Sequence, residues 1–536
     1  MKRHLIRTTL AAAALCAGPS VNAHEADDAS GKLGSVHFEV GCNAAAQREF
    51  DLAMAYFHSF AWQQIRAPLE RALQADGTCG MVHWAHALAS LDNPFAWPGN
   101  VSAKTLADGA ALMDAARKTG LSSQRERDYV DALAVFFQDA DKLNHRTRAK
   151  ALESAFESVA AKYPADTEAA ILHGLVLSAN FDPADKQYTN QLRAANLLEP
   201  IFVKQPEHPG VAHYLIHSYD YPALASRGLS AAQRYSKIAP AAAHAQHMPS
   251  HIFTRVGAWS DSVAANTASA KADAANGFNT LHAYDYMVYA HLQMAQDRAA
   301  QSVRDSSLAL AKPPDNFAAA YAYAAIPARL ALERGDWAAA AKLNLTPAAD
   351  AYPWAKYPQA EASNAYGRAL GAAALRDAAA VEAELSRLAR LRDRATELKI
   401  AYWADQIGIQ IDVARAFAAF KSGQVDAGLA GLRQAAERED ATEKHVVTPG
   451  QLLPAREILA AALLERGDAA GALREFEAVL RKEPNRLRAM AGAAVAAERG
   501  SEAAKARDYA DKIARQTAQA DVGMSGLQVA RQSVTR

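Results

Sequence analysis

The chain has 536 residues, enough for roughly three or four domains of ordinary size or for one long repeat array. Apolar residues make up 50% of it and charged residues 22%, a composition typical of globular proteins that excludes a disordered chain. Lysine and arginine together number 58, as do aspartate and glutamate, so no net charge attracts nucleic acid or anionic lipid. We therefore expect no nucleic-acid partner.

Residues 1–23 have the features of a secretory signal peptide. Basic residues at Lys2, Arg3 and Arg7 precede an apolar stretch that is too short to span a bilayer. Small residues before and at Ala23 suit cleavage there, and no later stretch is apolar enough for a stable transmembrane segment. We expect a periplasmic or secreted protein whose mature chain begins with an N-terminal extension over 24–40.

Two cysteines, Cys42 and Cys79, remain once Cys16 is removed with the signal. In an exported chain, two cysteines suggest one disulfide, and the alternative is two separate buried thiols. The bridge would tie the start of an N-terminal helix pair to its end.

The clearest pattern is repetition. If Pro484 takes position 32 of a 34-residue unit, Phe476 falls at position 24, Ala472 at 20 and Gly467 at 15. Small residues let two helices approach closely, the glycine makes the turn between them, and the proline ends the second helix. The segment resembles the tetratricopeptide (TPR) repeat, which implies a helix–turn–helix unit.

The same frame recurs at Gly257 and Gly335, each followed two residues later by tryptophan. We expect an all-α fold, a TPR-like α-solenoid in which antiparallel helix pairs form a right-handed superhelix. Its parts are N-terminal pairs over 41–200, histidine-rich middle repeats over 201–300, C-terminal repeats over 301–516 and a polar tail over 517–536. Clusters of Pro, Asn, Asp and Gly predict longer connections at 92–102, 181–186, 219–228, 345–358 and 441–454.

Histidine is concentrated in the middle repeats. Eight of the 17 histidines lie between His208 and His291, far more than an even distribution places there. In the repeat whose turn is Gly257, the histidines share one helical face opposite the face that packs on neighbouring helices, since each residue turns the helix by about 100°. In TPR proteins that face lines the concave groove. The candidate groove residues of three successive first helices are His213, His217, Asp220, His244, His247, His251, Arg255, His282 and Asp285.

Imidazoles spaced three and four residues apart on a helix are ligand geometry for Zn, Cu, Ni or Fe. The candidate metal ligands are His213, His217, His247 and His251, with pairs on adjacent helices completing a four-coordinate set. Two alternatives stay open: a polar recognition groove without metal, and structural hydrogen bonding or a misassigned register. No cofactor is therefore certain.

Beyond the generic repeat, several stretches resemble a family of exported bacterial TPR proteins. These stretches include Cys42 with Cys79, residues 208–220 and a His-Met-Pro-Ser-His segment over 247–251. The resemblance supports the cysteine pair and the histidine segment as features and implies no reaction class.

Two hypotheses follow for function. The first is a binding scaffold that holds a peptide or protein partner in its groove, with the histidines and Arg255 as polar contacts and Trp84, Phe57 and Tyr289 as apolar ones. The second is a metal-binding protein or metal-dependent enzyme that uses the groove of residues 213–285. Phosphate-binding loops, dinucleotide fingerprints, zincin motifs and nucleophile elbows are not found, so binding is favoured over catalysis. The sequence leaves the oligomeric state open.

Overall fold

The computed structural model describes residues 32–99, 101–273, 278–310 and 312–521, together with positions 528, 531, 532 and 534. The signal peptide expected over 1–23 lies outside the described residues, as do the start of the expected N-terminal extension and much of the expected polar tail. Within the described residues, regular structure is entirely helical and no strand occurs.

The N-terminal part is a series of antiparallel helix pairs. They are α1 (Ala44–His58) with α2 (Arg66–Ala75), α3 (Met81–Ser90) with α4 (Ala103–Thr119), α5 (Gln124–Phe137) with α6 (His145–Lys162), and α7 (Thr167–Ala179) with α8 (Thr189–Lys204). Polar side chains begin several of these helices: Asn43, for example, accepts hydrogen bonds from the backbone N–H groups of Ala45 and Ala46.

The middle part continues the series. Its pairs are α9 (Pro209–Tyr219) with α10 (Leu229–Ile238), α11 (Ala243–His247) and α12 (Pro249–Val256) with α13 (Trp259–Ala272), and α14 (Phe278–Gln293) with α15 (Asp297–Leu308). The first helix of the second pair is divided because Pro249 lacks a backbone N–H and starts a new helix at its own position.

The C-terminal part completes the array. Its pairs are α16 (Phe317–Leu332) with α17 (Trp337–Ala340), α18 (Pro358–Ala374) with α19 (Ala378–Glu397), α20 (Ala401–Lys421) with α21 (Val425–Asp440), α22 (Ala455–Arg466) with α23 (Ala469–Lys482), and α24 (Leu487–Arg499) with α25 (Ala503–Gln516). Short 3₁₀ turns lie at Trp62–Gln64, Pro94–Ala96, Ala225–Gly228 and Trp354–Lys356.

This order of helix pairs confirms the predicted all-α, TPR-like solenoid. The five longer connections predicted from turn residues all coincide with breaks between α-helices, although Tyr219 and Pro358 are themselves terminal helix residues. Among the described helices, none combines the length and apolar character needed to cross a bilayer.

The Sγ atoms of Cys42 and Cys79 are bonded, 1.96 Å apart. Cys42 precedes the Asn43 cap of α1, and Cys79 lies in the turn between α2 and α3. The bridge therefore encloses the first helix pair, as the sequence suggested.

The middle and C-terminal parts touch each other directly. Gly257, in the left-handed region at φ 71°, lies so close to the C-terminal part that a Cβ atom there would be 2.4 Å from the carbonyl oxygen of Pro484. The indole N–H of Trp259 donates to the carbonyl of Asn485 at 3.1 Å. Only glycine fits this turn, because any side chain would be strained and would collide with the neighbouring backbone.

Segment 441–454, which connects α21 to α22, crosses to the middle helices. Lys444 reaches Asp220 at 3.2 Å, and the hydroxyl of Tyr286 donates to the carbonyl of Thr448 at 3.2 Å. The face that the sequence predicts as an open groove is therefore covered in part by the chain's own segment.

Candidate functional site

Six histidines of the middle repeats lie close together. Each of them is on the first helix of its helix pair. His213 and His217 lie on α9, His244 and His247 on α11, His251 on α12 and His282 on α14. The structure divides them into the first set (His213, His217 and His244) and the second set (His247, His251 and His282), and within each set one nitrogen per ring lies within 4.8 Å of the others.

The first set converges on the Nε2 atom of His213. This atom is 3.1 Å from Nε2 of His244 and 3.1 Å from Nε2 of His217. On the other side of the same ring, Nδ1–H donates to the backbone carbonyl of His58 at 2.7 Å. Because a carbonyl can only accept, the proton of the neutral His213 ring sits on Nδ1, and the Nε2 lone pair faces the other two imidazoles.

Aromatic rings hold the first set in place. Phe95 stacks on His217 with ring centroids 4.1 Å apart, and Tyr235 stacks on His213 at 5.1 Å. Phe60 contacts His213 at 4.3 Å and stacks on His244 at 5.2 Å. The imidazoles therefore have little freedom to rotate.

The second set is built in the same way. The Nε2 atoms of His247 and His251 are 3.0 Å apart, and the His282 ring lies 4.3 Å from that of His247. Nδ1–H of His247 donates to Oδ1 of Asn266 at 2.6 Å, and Nδ1–H of His251 donates to Oδ2 of Asp220 at 2.9 Å. These outer hydrogen bonds direct both Nε2 lone pairs toward each other.

Asp220 is the charged centre of the site. Besides His251, it accepts from Nε of Arg255 at 2.8 Å and from Nζ of Lys444 at 3.2 Å. Burial alone would raise the pKa of this carboxyl, but Lys444 and Arg255 outweigh burial and hold the pKa well below its ordinary value. Burial also lowers the pKa of Lys444, to about 8, although Asp220 opposes this effect.

All six imidazoles are neutral at physiological pH. Burial, and then the neighbouring imidazoles, lower the pKa of five of them below the ordinary value of histidine, to about 3 for His247. Burial also lowers the pKa of His251, against the opposing effect of Asp220. Neutral imidazole is the form that binds metal ions.

A third group, His58, Glu168 and His208, is also buried and also has ligand-like spacing. Its hydrogen bonds give it another role. Nδ1 of His208 accepts from the backbone N–H of Val211, so its Nε2–H donates to Glu168 at 2.8 Å. His58 contacts the same carboxylate through Nε2 at 3.2 Å. The group is a hydrogen-bonded support that fixes His58, whose carbonyl orients His213.

The structure separates the four histidines that the sequence grouped as one metal set. His213 and His217 belong to the first set, and His247 and His251 to the second. His244 and His282, predicted as groove residues, complete the two sets.

The remaining predicted groove residues have other partners. Arg255 pairs with Asp220, beside the second set. Asp285 pairs instead with the buried Arg329, whose Nε lies 2.7 Å from its Oδ1. Arg329 also donates to the carbonyl of Gly450 at 3.0 Å, so this pair anchors segment 441–454 rather than a histidine.

The three aromatic residues expected to contact a partner are core residues. Phe57, Trp84 and Tyr289 are each no more than 1% exposed. The indole N–H of Trp84 donates to the Tyr129 carbonyl, and the Tyr289 hydroxyl donates to Glu483. The expectation that these rings line an accessible groove is wrong, because neighbouring helices and the C-terminal part cover them.

Sequence reasoning missed several residues that shape the site, and they differ in how they could have been found. Asn266 lies 19 residues after His247 on the paired helix, so repeat spacing could have indicated it. Lys444 is 224 residues from Asp220, and no local pattern marks it.

No protein-family model matches the chain, and no curated protein matches it. Solved structures that align with it include one of Naa15/Naa10 bound to HypK-THB, at 12% identity over 92% of this chain and 74% of that one, with a TM-score of 0.25. Yeast Tom70 aligns at 13% identity over 91% of this chain and 88% of its own, with a TM-score of 0.26. A circular tandem repeat protein aligns at 13% identity over 91% and 96% of the two chains, with a TM-score of 0.13. At these TM-scores the alignments carry no argument about function.

Proposed function

We propose that the protein binds two transition-metal ions, one in each histidine set. The observation that carries the proposal is in the first set, where the Nε2 atoms of His217 and His244 each lie 3.1 Å from Nε2 of His213. An ion bound tetrahedrally at about 2.0–2.1 Å from nitrogen holds its ligand nitrogens about 3.3 Å apart. The spacing in the protein is close to this value.

Hydrogen bonding between the imidazoles explains the first set less well. Nε2 of His213 carries one lone pair, and both His217 and His244 approach it at the same distance. Two N–H groups cannot both align with one lone pair. A bound cation uses all three lone pairs at once.

The outer contacts support the same proposal. Histidine ligands of metal ions characteristically donate their second N–H to a carboxylate, an amide oxygen or a backbone carbonyl. His251 does so to Asp220, His247 to Asn266 and His213 to His58. The donor set of neutral imidazoles suits Zn, Cu, Ni or Fe and is poor for Mg or Ca.

Export to an oxidising compartment is part of the proposal. The Cys42–Cys79 disulfide supports it, because disulfides persist in the periplasm and outside the cell and are rare in the cytosol. A protein or peptide partner is compatible with metal binding but would use other surfaces, since five of the nine predicted groove residues are at most 6% exposed.

Metal analysis tests the proposal directly. The chain is purified without a histidine tag, and its metal content is measured before and after loading with Zn²⁺ or Cu²⁺. We expect about two ions per chain, and about one in His244→Ala and in His282→Ala. These two residues are the half-buried members of their sets, so their removal disturbs packing least.

His291→Ala is the matched control, because this half-buried histidine of α14 hydrogen-bonds Gln296 and lies in neither set. It should retain the wild-type metal content. Wild-type protein that folds but holds well under one ion per chain, with no loss in either ligand variant, would refute the proposal.

A further inference from the structure

The two histidine sets are immediate neighbours. Helix α11 carries one ligand of each, His244 and His247, whose ring centroids are 6.3 Å apart. On the other side, the ring of His217 lies 6.5 Å from that of His251. Within the second set itself, His251 and His282 are separated by 6.3 Å. The ring separations between the two sets are thus about equal to the largest ring separation within the second set.

The charge of the site is unbalanced for two separate ions. A histidine binds a metal ion through neutral imidazole, so the six ligands would contribute no charge. Asp220 is the only carboxylate hydrogen-bonded to them in the described part of the chain, and its charge is already shared with Arg255 and Lys444. Two divalent cations in a buried site need compensating anions, because an uncompensated buried charge is strongly unfavourable. The anions must come from solution.

Coordination leads to the same requirement. Three histidines per ion leave at least one position open, as in catalytic metal sites, where water or substrate fills it. The open positions of two neighbouring ions can be filled by one shared ligand. The shared ligand must be small, because Phe95 packs against His217 of the first set and Tyr286 packs against His247 of the second.

We infer that the two sets form one dinuclear centre, in which a small oxygen- or nitrogen-donor anion such as hydroxide or azide bridges the two ions. This inference rests on the proposed metal binding and adds the geometry of the pair and the class of its exogenous ligand. The half-buried His244 and His282 mark where the centre comes nearest to solvent.

Electron paramagnetic resonance with Cu²⁺ as the probe ion tests the inference. A lone Cu²⁺ ion has one unpaired electron, whereas two Cu²⁺ ions joined by a bridging hydroxide couple their spins and lose most of the signal. The full chain is loaded with Cu²⁺, treated with ferricyanide to keep copper oxidised, and desalted. We expect about two copper ions per chain and an integrated signal well below one spin.

Single-ligand variants supply the contrast. His244→Ala and His282→Ala should each hold about one copper ion and give the full signal of that ion, so losing copper increases the signal. Azide added to wild type should produce a new charge-transfer absorption that saturates near one azide per copper pair. It should be several-fold weaker in the variants.

The outcomes separate the two proposals. Wild type that binds both copper ions and shows the full signal of two spins overturns the dinuclear centre and leaves metal binding intact. Copper content well below one ion per chain in folded wild type overturns metal binding itself. The wild-type measurement decides between them even if a variant fails to fold.

Discussion

Nδ1–H of His251 donates to Oδ2 of Asp220 at 2.9 Å, and this contact joins α12 to the C-cap residue of α9. The same carboxylate holds Arg255 and Lys444. One side chain therefore orients an imidazole of the second set and pairs with two buried cations. Its removal should affect both metal affinity and stability.

Replacing Asp220 by Asn should weaken metal binding at the second set about 10- to 100-fold, the usual effect of losing a carboxylate that hydrogen-bonds a histidine ligand. It should also lower the free energy of unfolding by about 3–5 kcal/mol, because Arg255 and Lys444 lose their counter-charge. Metal titration followed by calorimetry measures the first effect, and urea denaturation measures the second.

Asp285→Asn is the matched control, since it removes a buried carboxylate that pairs with Arg329 and touches no histidine. It should reduce stability and leave both metal affinities unchanged. Equal losses of affinity in the two variants would contradict the role assigned to Asp220.

Replacing Gly210 by Ala should disturb the first set alone. The added Cβ atom would lie 2.5 Å from Nδ1 of His58, which must then move together with the carbonyl that orients His213. We expect about 1–3 kcal/mol of destabilisation and loss of one of two bound ions. Metal content and thermal unfolding of the variant measure both.

Gly174→Ala provides the comparison for Gly210, because the atoms nearest to its Cβ would be those of the Leu198 side chain, at 3.1 Å, and not those of His58 or of the two sets. It should keep both ions. Retention of both ions by Gly210→Ala as well would show that His58 does not position the first set.

Replacing Glu439 by Gln should stabilise the protein at neutral to alkaline pH. Burial raises the pKa of this carboxyl from about 4.5 in the unfolded chain to about 8 in the folded one. The folded state therefore holds a proton that the unfolded state releases, and stability is lost as pH rises from about 4.5 to about 8.

The glutamine stays neutral and still accepts the N–H of Ala455 through its amide oxygen. We expect the free energy of unfolding of the variant to exceed that of wild type by about 1–3 kcal/mol at pH 8, with little difference at pH 4.5. Urea denaturation across this range measures it, with the exposed Glu437→Gln as the control. A pH-independent difference would rule out the raised pKa.

Replacing Cys42 and Cys79 by Ser should lower the free energy of unfolding by about 2–4 kcal/mol, because the unfolded chain regains the freedom of a closed loop. The bridge spans 37 residues and encloses the first helix pair, which carries none of the six histidines of the two sets. Denaturation with and without reductant should give the same difference in wild type and none in the variant. Metal content should not change.

The sequence predicts the fold well because repeat positions are local. Gly257, Gly335, Gly423 and Gly467 make the turns that the repeat requires, each with positive φ. The spacing of histidines also selects six rings that the structure brings close together on the first helices of three successive pairs. These features depend only on helical periodicity.

The division into two sets depends on distances between helices, which repeat spacing does not specify. Pro249 divides the middle first helix, and His251, on the second part, hydrogen-bonds Asp220. Asp285 lies on the predicted face, but its carboxylate pairs with Arg329 of the next helix pair. The burial of Trp84 and Tyr289 likewise follows from contacts made far along the chain.

The contacts of Gly257 and Trp259 with Asn485, and of segment 441–454 with the middle helices, have a consequence for folding. An open solenoid loses its repeats one after another, because each repeat contacts only its neighbours. Here the middle and C-terminal parts of the array contact each other directly, through residues more than 200 positions apart in the sequence. Denaturant should therefore melt the histidine region and the C-terminal helices in a single transition. Slow refolding should accompany it, because closing so long a loop precedes the contacts that hold it.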